Sequence, residues 1–279
     1  MTTQLTKKGW KNGSKGTWSK RSNKAKDKQE GIFQTSRTTS NTLAGDDAVL
    51  GSSTSTIGTS INGTLKTQAG SDKIKGKSNT EQGIYCEGSI NTGLDNDSIT
   101  GISTDSRGLE NQGYIYTEDG NDKITGKSKS QEGLTNSSYI DMGEGSDALK
   151  AAGALSALRN DGYINMGSGS DLVNCLKGGF SGDGEIDMGT GFDTVIGFGA
   201  QKIYGGGDRD TLLLDAGRYR ITNYTDEWGY SHGKKITNEN NVAMIVDSFE
   251  TIGSAASKQQ LDLSNGTLLI NAMGEATYL

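Results

Sequence analysis

The sequence predicts an all-β protein: a parallel β-solenoid, β-helix or β-roll in style, of about seven to eight coils with an antiparallel cap at its C-terminal end. Three observations predict it. First, Asp recurs in register. Asp47, Asp72, Asp97, Asp122 and Asp147 are 25 residues apart, and the series continues at Asp171, Asp193 and Asp210 with steps of 24, 22 and 17. Second, apolar residues keep step with it. Val49, Ile74, Ile99, Ile124, Leu149, Val173, Val195 and Leu212 stand two after each Asp, and Leu65, Ile90, Ile115, Ile140, Ile164, Ile186 and Ile203 stand seven before all but the first. Third, 42 of the 279 residues are Gly and none is Pro. A fixed period of this kind is the mark of stacked repeats.

Each part of a unit has a local reason. In Gly162–Val173 the first five residues alternate polar and apolar and carry β-branched and aromatic side chains, which predicts a short strand. Gly167-Ser168-Gly169-Ser170-Asp171 follows, rich in residues that tolerate positive φ, which predicts a turn. Asp171-Leu172-Val173 then opens a second strand. Ile84, Leu109, Leu134 and Leu158 mark a third apolar position near the end of the longer units.

One unit buries only a few side chains, each contributing roughly 1.5–3 kcal/mol. Ordering its backbone costs about 1–2 kcal/mol per residue, so a unit folds only when stacked on its neighbours. A composition of 31% hydrophobic and 6% aromatic residues is too polar for a broad core but supplies a narrow one. The missing Pro fits as well, because a central strand needs every N–H for the coils above and below it. Collagen is excluded, since it needs Gly at every third position together with Pro. No run of 18 apolar residues exists to form a transmembrane helix.

By alternation, the residue two after the first apolar position points inward. It runs Thr67, Thr92, Thr117, then Met142, Met166, Met188, then Gly205. This predicts a core whose shape changes along the axis and a coil that contracts toward the C-terminus. Cys86 and Cys175 fall three to four coils apart, roughly 15–19 Å at ~4.8 Å per coil. A disulfide needs Cα atoms within about 7 Å, so two free thiols are expected.

The turns resemble the calcium-binding nonapeptide G-G-x-G-x-D-x-U-x of the RTX (haemolysin-type) repeat family, U being large and apolar. The nearest matches are Gly167–Val173, Gly189–Val195, Gly143–Leu149 and Gly205–Leu212. The resemblance covers residues 45–214 and implies Ca2+ held between successive turns by Asp carboxylates and turn carbonyls. It implies ligands at Asp147, Asp171, Asp193, Asp208 and Asp210, and further toward the N-terminus at Asp122, Asp97, Asp95, Asp72 and Asp47. The chemistry agrees: calcium takes six to eight oxygens, and glycines let carbonyls converge. The sequence departs from the family in having one motif per 25-residue coil, so a single column of sites is expected. Gly45-Asp46-Asp47, Gly70-Ser71-Asp72 and Gly120-Asn121-Asp122 keep only the Gly before Asp, and Asp95-Asn96-Asp97 lacks even that. The C-terminal sites are therefore the better expected binders. The alternative is that Asp and Gly serve only as turn formers.

Other candidates have structural readings. Tyr114, Tyr139 and Tyr163 should stack on an outer face, as a stabilising ladder or a sugar-binding strip. Asn111, Asn136 and Asn160 should form an Asn ladder. His232 lies in a polar loop. Residues 1–40 hold ten Lys/Arg and two acids, hence +8, whereas the remainder is −14. This segment is expected to be a flexible basic arm. Its Trp10 and Trp18 could stack on bases or sugars, and it could grip an anionic polysaccharide or cell surface. The acidic body opposes nucleic acid. Residues 41–215 are assigned to the solenoid. Residues 216–279 are assigned to the cap, with antiparallel strands at 219–224, 235–237 and 242–246 and a hairpin around Ser264-Asn265-Gly266. In the RTX family an uncleaved C-terminal signal directs one-step (type I) export. The N-terminus has no apolar core of a signal peptide, which agrees with that route.

The sequence thus points to a non-enzymatic, calcium-binding, extracellular or cell-surface element, structural or adhesive. The alternatives are a polysaccharide lyase or epimerase on a wider β-helix, and a filament subunit stacked end to end as a homo-oligomer.

Overall fold

The computed structural model of the chain describes residues 17–19, 32–34, 39–42, 44–226, 231–257 and 259–279. Of 17–19, 32–34 and 231–232 only the backbone is described. Trp10 and the side chains of Trp18 and His232 lie outside the described residues.

The described chain is all β, wound as a parallel solenoid. Six three-sided coils run from Ala48 to Asp187, each giving one strand to each of three sheets. In the third of them, for example, Ser98–Ser103 belongs to sheet 1, Leu109–Asn111 to sheet 2 and Tyr114–Tyr116 to sheet 3. The third apolar position is thus a strand of its own, and each unit has three sides. Ahead of these coils, Thr17–Ser19, Ile32–Gln34 and Thr39–Asn41 pair in parallel with the first strand of each sheet. Two of these strands fall inside the segment whose charge suggested an arm.

Sheet 1 has eight parallel strands between Ala48 and Leu214, one after each Asp of the series. Sheet 2 ends at Phe180–Ser181. This is the expected contraction: when the Asp-to-Asp step shrinks to 17 residues, no chain is left for a third side. The full three-sided stack therefore has about six coils, fewer than the seven to eight read from the Asp series. At the narrowing, Phe180 is buried and Phe198 meets Tyr219 edge to face, with centroids 5.2 Å apart.

Three columns of apolar side chains fill the axis. Val49, Ile74, Ile99, Ile124, Leu149, Val173, Val195 and Leu212 come from sheet 1, with Ile84, Leu109, Leu134 and Leu158 from sheet 2 and Leu65 to Ile203 from sheet 3, all buried. The Thr67-to-Met188 column is buried too. Cys86 and Cys175 are buried and unpaired.

A second glycine column is not signalled by the Asp motif. Gly51, Gly76, Gly101 and Gly126 sit inside sheet 1 strands, where a Cβ on Gly76 would lie 1.9 Å from the Gly83 carbonyl oxygen. At Gly51 to Gly126 the corner between sheets 1 and 2 has no room for a side chain, and one coil later Ala151 takes the same place.

The C-terminal region is partly cap and partly solenoid. Gly217–Thr225 and Ser231–Asn238 form an antiparallel excursion from sheet 3. The chain then returns. Ala243–Asp247 pairs in parallel with Gln201–Tyr204, and Thr251–Ser254 pairs in parallel with Thr211–Leu214. The hairpin expected around Ser264-Asn265-Gly266 does not form. Gln260–Asp262 closes sheet 1 against Thr251–Gly253, while Gly266–Ile270 joins sheet 3 against Gly217–Ile221. Ala276–Tyr278 then pairs with Gly266–Ile270, so each sheet ends in a short antiparallel strand of three residues, a poor template for further pairing.

Candidate functional site: the acid ladder

The Asp series stands at the corner where sheet 3 turns into sheet 1. A strand enters it through glycines at positive φ, such as Gly167 at 100° and Gly169 at 135°, a backbone that other residues adopt only with strain. The turn swings each Asp side chain into the stack. The carboxyl of every Asp is buried, with 0–6% of the residue exposed from Asp47 to Asp210.

The carboxyls form a continuous ladder. The backbone N–H of Asp47 donates to Oδ1 of Asp72, that of Asp72 to Asp97, and so on through Asp122, Asp147, Asp171, Asp193 and Asp210, at 2.6–2.9 Å. Glu250 ends the ladder: its Oε2 accepts the N–H of Asp210 at 2.8 Å. Glu250-Thr251-Ile252 repeats the Asp-x-apolar signal, with Ile252 in register with Leu212. The excursion that separates it from Asp210 hides this member from a search at fixed period.

The second oxygen of each rung is different. Oδ2 of Asp72, Asp97, Asp122, Asp147, Asp171, Asp193 and Asp210 is buried and has no hydrogen-bond partner. Seven such atoms in one column are exceptional, because buried polar groups are normally satisfied. Burial is the leading cause that pushes these carboxyls up: Asp147 to about 8, Asp97, Asp193 and Asp210 to about 7, and Asp72, Asp122 and Asp171 to about 6. The N–H received from the previous coil opposes the rise. Adjacent carboxylates add to it at Asp97, Asp147, Asp193 and Asp210.

The inward column five residues before each Asp sets the surroundings of Oδ2. At the narrow end, a Cβ on Gly205 would lie 2.5 Å from Oδ2 of Asp210. In the wider coils this position is Thr67, Thr92 and Thr117, then Met142, Met166 and Met188. The threonine hydroxyl oxygens lie close to Asp72, Asp97 and Asp122. Each hydroxyl nevertheless gives its one proton to a carbonyl of the next coil, at 3.0, 3.5 and 2.7 Å, so Oδ2 stays without a donor. The interior beside the rungs is thus oxygen-rich at Asp72 to Asp122 and thioether-lined at Asp147 to Asp193.

Two of the candidate residues lie off the ladder. Asp95 and Asp208 are exposed and take positive φ, 79° and 72°. Asp95 uses Oδ2 to accept the Gly70 N–H at 3.1 Å. Among the described residues, no three His, Cys, Asp or Glu side chains converge on one point. An ion at a rung would therefore complete its oxygen shell from backbone carbonyls and water.

The two other ladders are structural. Asn111 donates to Asn136 and Asn136 to Asn160, each at 2.8 Å and fully buried. Cys86 precedes Asn111 in the same column, below Ile61. Tyr139 and Tyr163 stack at 5.8 Å and 12°, and Tyr114 joins them through Tyr116, at 6.2 Å and then 5.9 Å. These rings cover each other's faces, which favours sheet stabilisation over a sugar platform.

No family model, curated protein or solved structure matches this chain. The β-solenoid and its ladders are therefore the basis on which function is argued.

Proposed function

We propose that the chain is a non-enzymatic β-solenoid rod whose acid ladder takes up calcium, and that it serves as a structural or adhesive element at the cell surface or outside the cell. The observation that carries this reading is the run of seven buried carboxylates, each with one oxygen lacking a donor. A hard, oxygen-seeking cation answers that deficit and offsets the repulsion along the column. The fit is best at Asp72, Asp97 and Asp122, where threonine oxygens line the interior. The Met-lined rungs at Asp147, Asp171 and Asp193, favoured by motif alone, suit a hard cation less well. Sites with dissociation constants of about 10⁻⁴–10⁻³ M, usual for extracellular modules, would fill outside the cell. They would add RT ln(1 + [Ca]/Kd) of stability each. No helix among the described residues is long and apolar enough to cross a membrane.

The test is bound calcium per chain after equilibrium dialysis, together with melting in calcium and in chelator. Bound ion and a higher Tm in calcium are expected. A chain that binds none and melts identically in both overturns the proposal. A second reading rests on the raised carboxyls: protons alone neutralise the ladder, and calcium changes nothing. A lyase or epimerase would need an acid/base cluster on an outer face. The carboxyls most displaced here lie inside the stack, where no polymer chain reaches.

A further inference from the structure

Sheet 1 carries a charge pattern that neither the acid ladder nor the Asp motif explains. Its parallel strands from Ala48 to Ile196 present seven lysines, Lys73, Lys75, Lys77, Lys123, Lys127, Lys150 and Lys177, and no acidic residue. By strand alternation six of them face away from the buried Ile and Val column, and a register shift after Lys150 brings Lys177 out beside Ala152 on the same face. Five are exposed and Lys75 and Lys150 are half-buried. Among the described residues none of them takes part in an ion pair, whereas Arg107, Arg159, Lys202 and Arg209 do.

The register arranges them in straight rows. Lys73 and Lys123 share one column, Lys75 and Lys150 a second, and Lys77, Lys127 and Lys177 a third. In the third column the lysines alternate with Ile102 and Ala152, so they recur about every 9–10 Å along the axis. Across the first of these coils, Lys73, Lys75 and Lys77 stand about 6–7 Å apart. In a chain of net charge −6, seven cations on strands that carry no acidic residue are a local reversal of sign that raises the concentration of anions near that face.

We infer that sheet 1 is a docking face for a linear acidic polysaccharide, lying along the solenoid axis with its carboxylates over the lysine columns. Charge complementarity carries the choice of a polyanion, and the flat, ruled geometry carries the choice of an extended chain. The same strands contain no aromatic residue, so they offer no platform on which the bases of a single-stranded nucleic acid could stack. The face does not require that the acid ladder take up an ion. It deepens the adhesive reading by naming the kind of partner and the surface it meets.

The test is fluorescence anisotropy of fluorescein-labelled hyaluronate, a carboxylated polysaccharide, titrated with the full chain in calcium-containing buffer. Saturable binding is expected. Its affinity should fall more than ~10-fold between ~50 and ~200 mM salt, as released counterions and screening require. The combined variant Lys77→Gln, Lys127→Gln, Lys177→Gln should weaken binding at least ~10-fold, with its circular dichroism and Tm unchanged because these side chains are exposed. A variant of the basic N-terminal segment, Lys7→Gln, Lys8→Gln, Lys11→Gln, Lys15→Gln, should weaken it less. Three results would overturn the assignment: wild-type affinity in the sheet 1 variant, a larger loss in the N-terminal variant, or tighter binding to a single-stranded oligonucleotide or to vesicles containing phosphatidylserine. Calcium content, measured separately, decides the ladder reading, so the two proposals fail independently.

Discussion

At the scale of the residue, the unusual group is the ladder Asp. Its unfolded pKa is about 3.9, and in the stack it rises to about 6 at Asp122 and about 8 at Asp147. A raised carboxyl stabilises the fold fully below the unfolded value, and that contribution is lost as pH climbs through the folded value. In chelator, the Tm should therefore fall between pH 5 and pH 8, and saturating calcium should flatten the fall. A Tm independent of pH in chelator would show that the carboxyls are not held as described. Substitution separates the two oxygens of a rung. Asp122→Asn keeps an acceptor for the Asp97 N–H and removes the buried charge. It should raise the Tm at pH 8 in chelator and reduce the gain from calcium. Asp122→Ala leaves that N–H without its partner and should cost about 1–3 kcal/mol in denaturant unfolding at pH 5.

At the scale of the element, the corners of the coil are as demanding as its core. Gly76 faces the Gly83 carbonyl so closely that Gly76→Ala must push sheet 2 off sheet 1. A loss of more than ~2 kcal/mol is expected, in the range of overpacked sites, whereas Ala at the exposed Lys77 should change stability little. Wild-type stability in Gly76→Ala would show that the corner is looser than drawn. The Asn ladder makes a parallel demand. Asn136 accepts from Asn111 and donates to Asn160, so Asn136→Leu, at similar volume, should destabilise by breaking both links, and the midpoint of a urea melt reads that loss. The Asn column was legible from its spacing. The Gly column has the same 25-residue spacing, but its reason was not legible, because a glycine inside a strand carries no sign of the backbone that will approach it.

At the scale of the whole molecule, the stack is closed at its C-terminal end by two different strands. Gln260–Asp262 is the short last strand of sheet 1, and Ala276–Tyr278, paired on Gly266–Ile270, is that of sheet 3. Removing residues 260–279 would bare both edges and should produce concentration-dependent association in sedimentation velocity. A truncated chain that stays monomeric at all concentrations would show that these strands are not the barrier to end-to-end stacking. The sequence by itself determined the period, the parallel stacking, the inward columns and the contraction of the coil, because contacts between neighbouring coils repeat whenever the residues do. The tertiary structure alone decided three things. It turned the carboxyls inward, with one oxygen of each left unmet. It recruited Glu250 from beyond a 217–238 excursion to end their ladder. And it brought lysines from four coils into columns on one flat face. Each depends on how a side chain or a returning strand sits relative to chain tens of residues away, and spacing along a single sequence holds no direction in space.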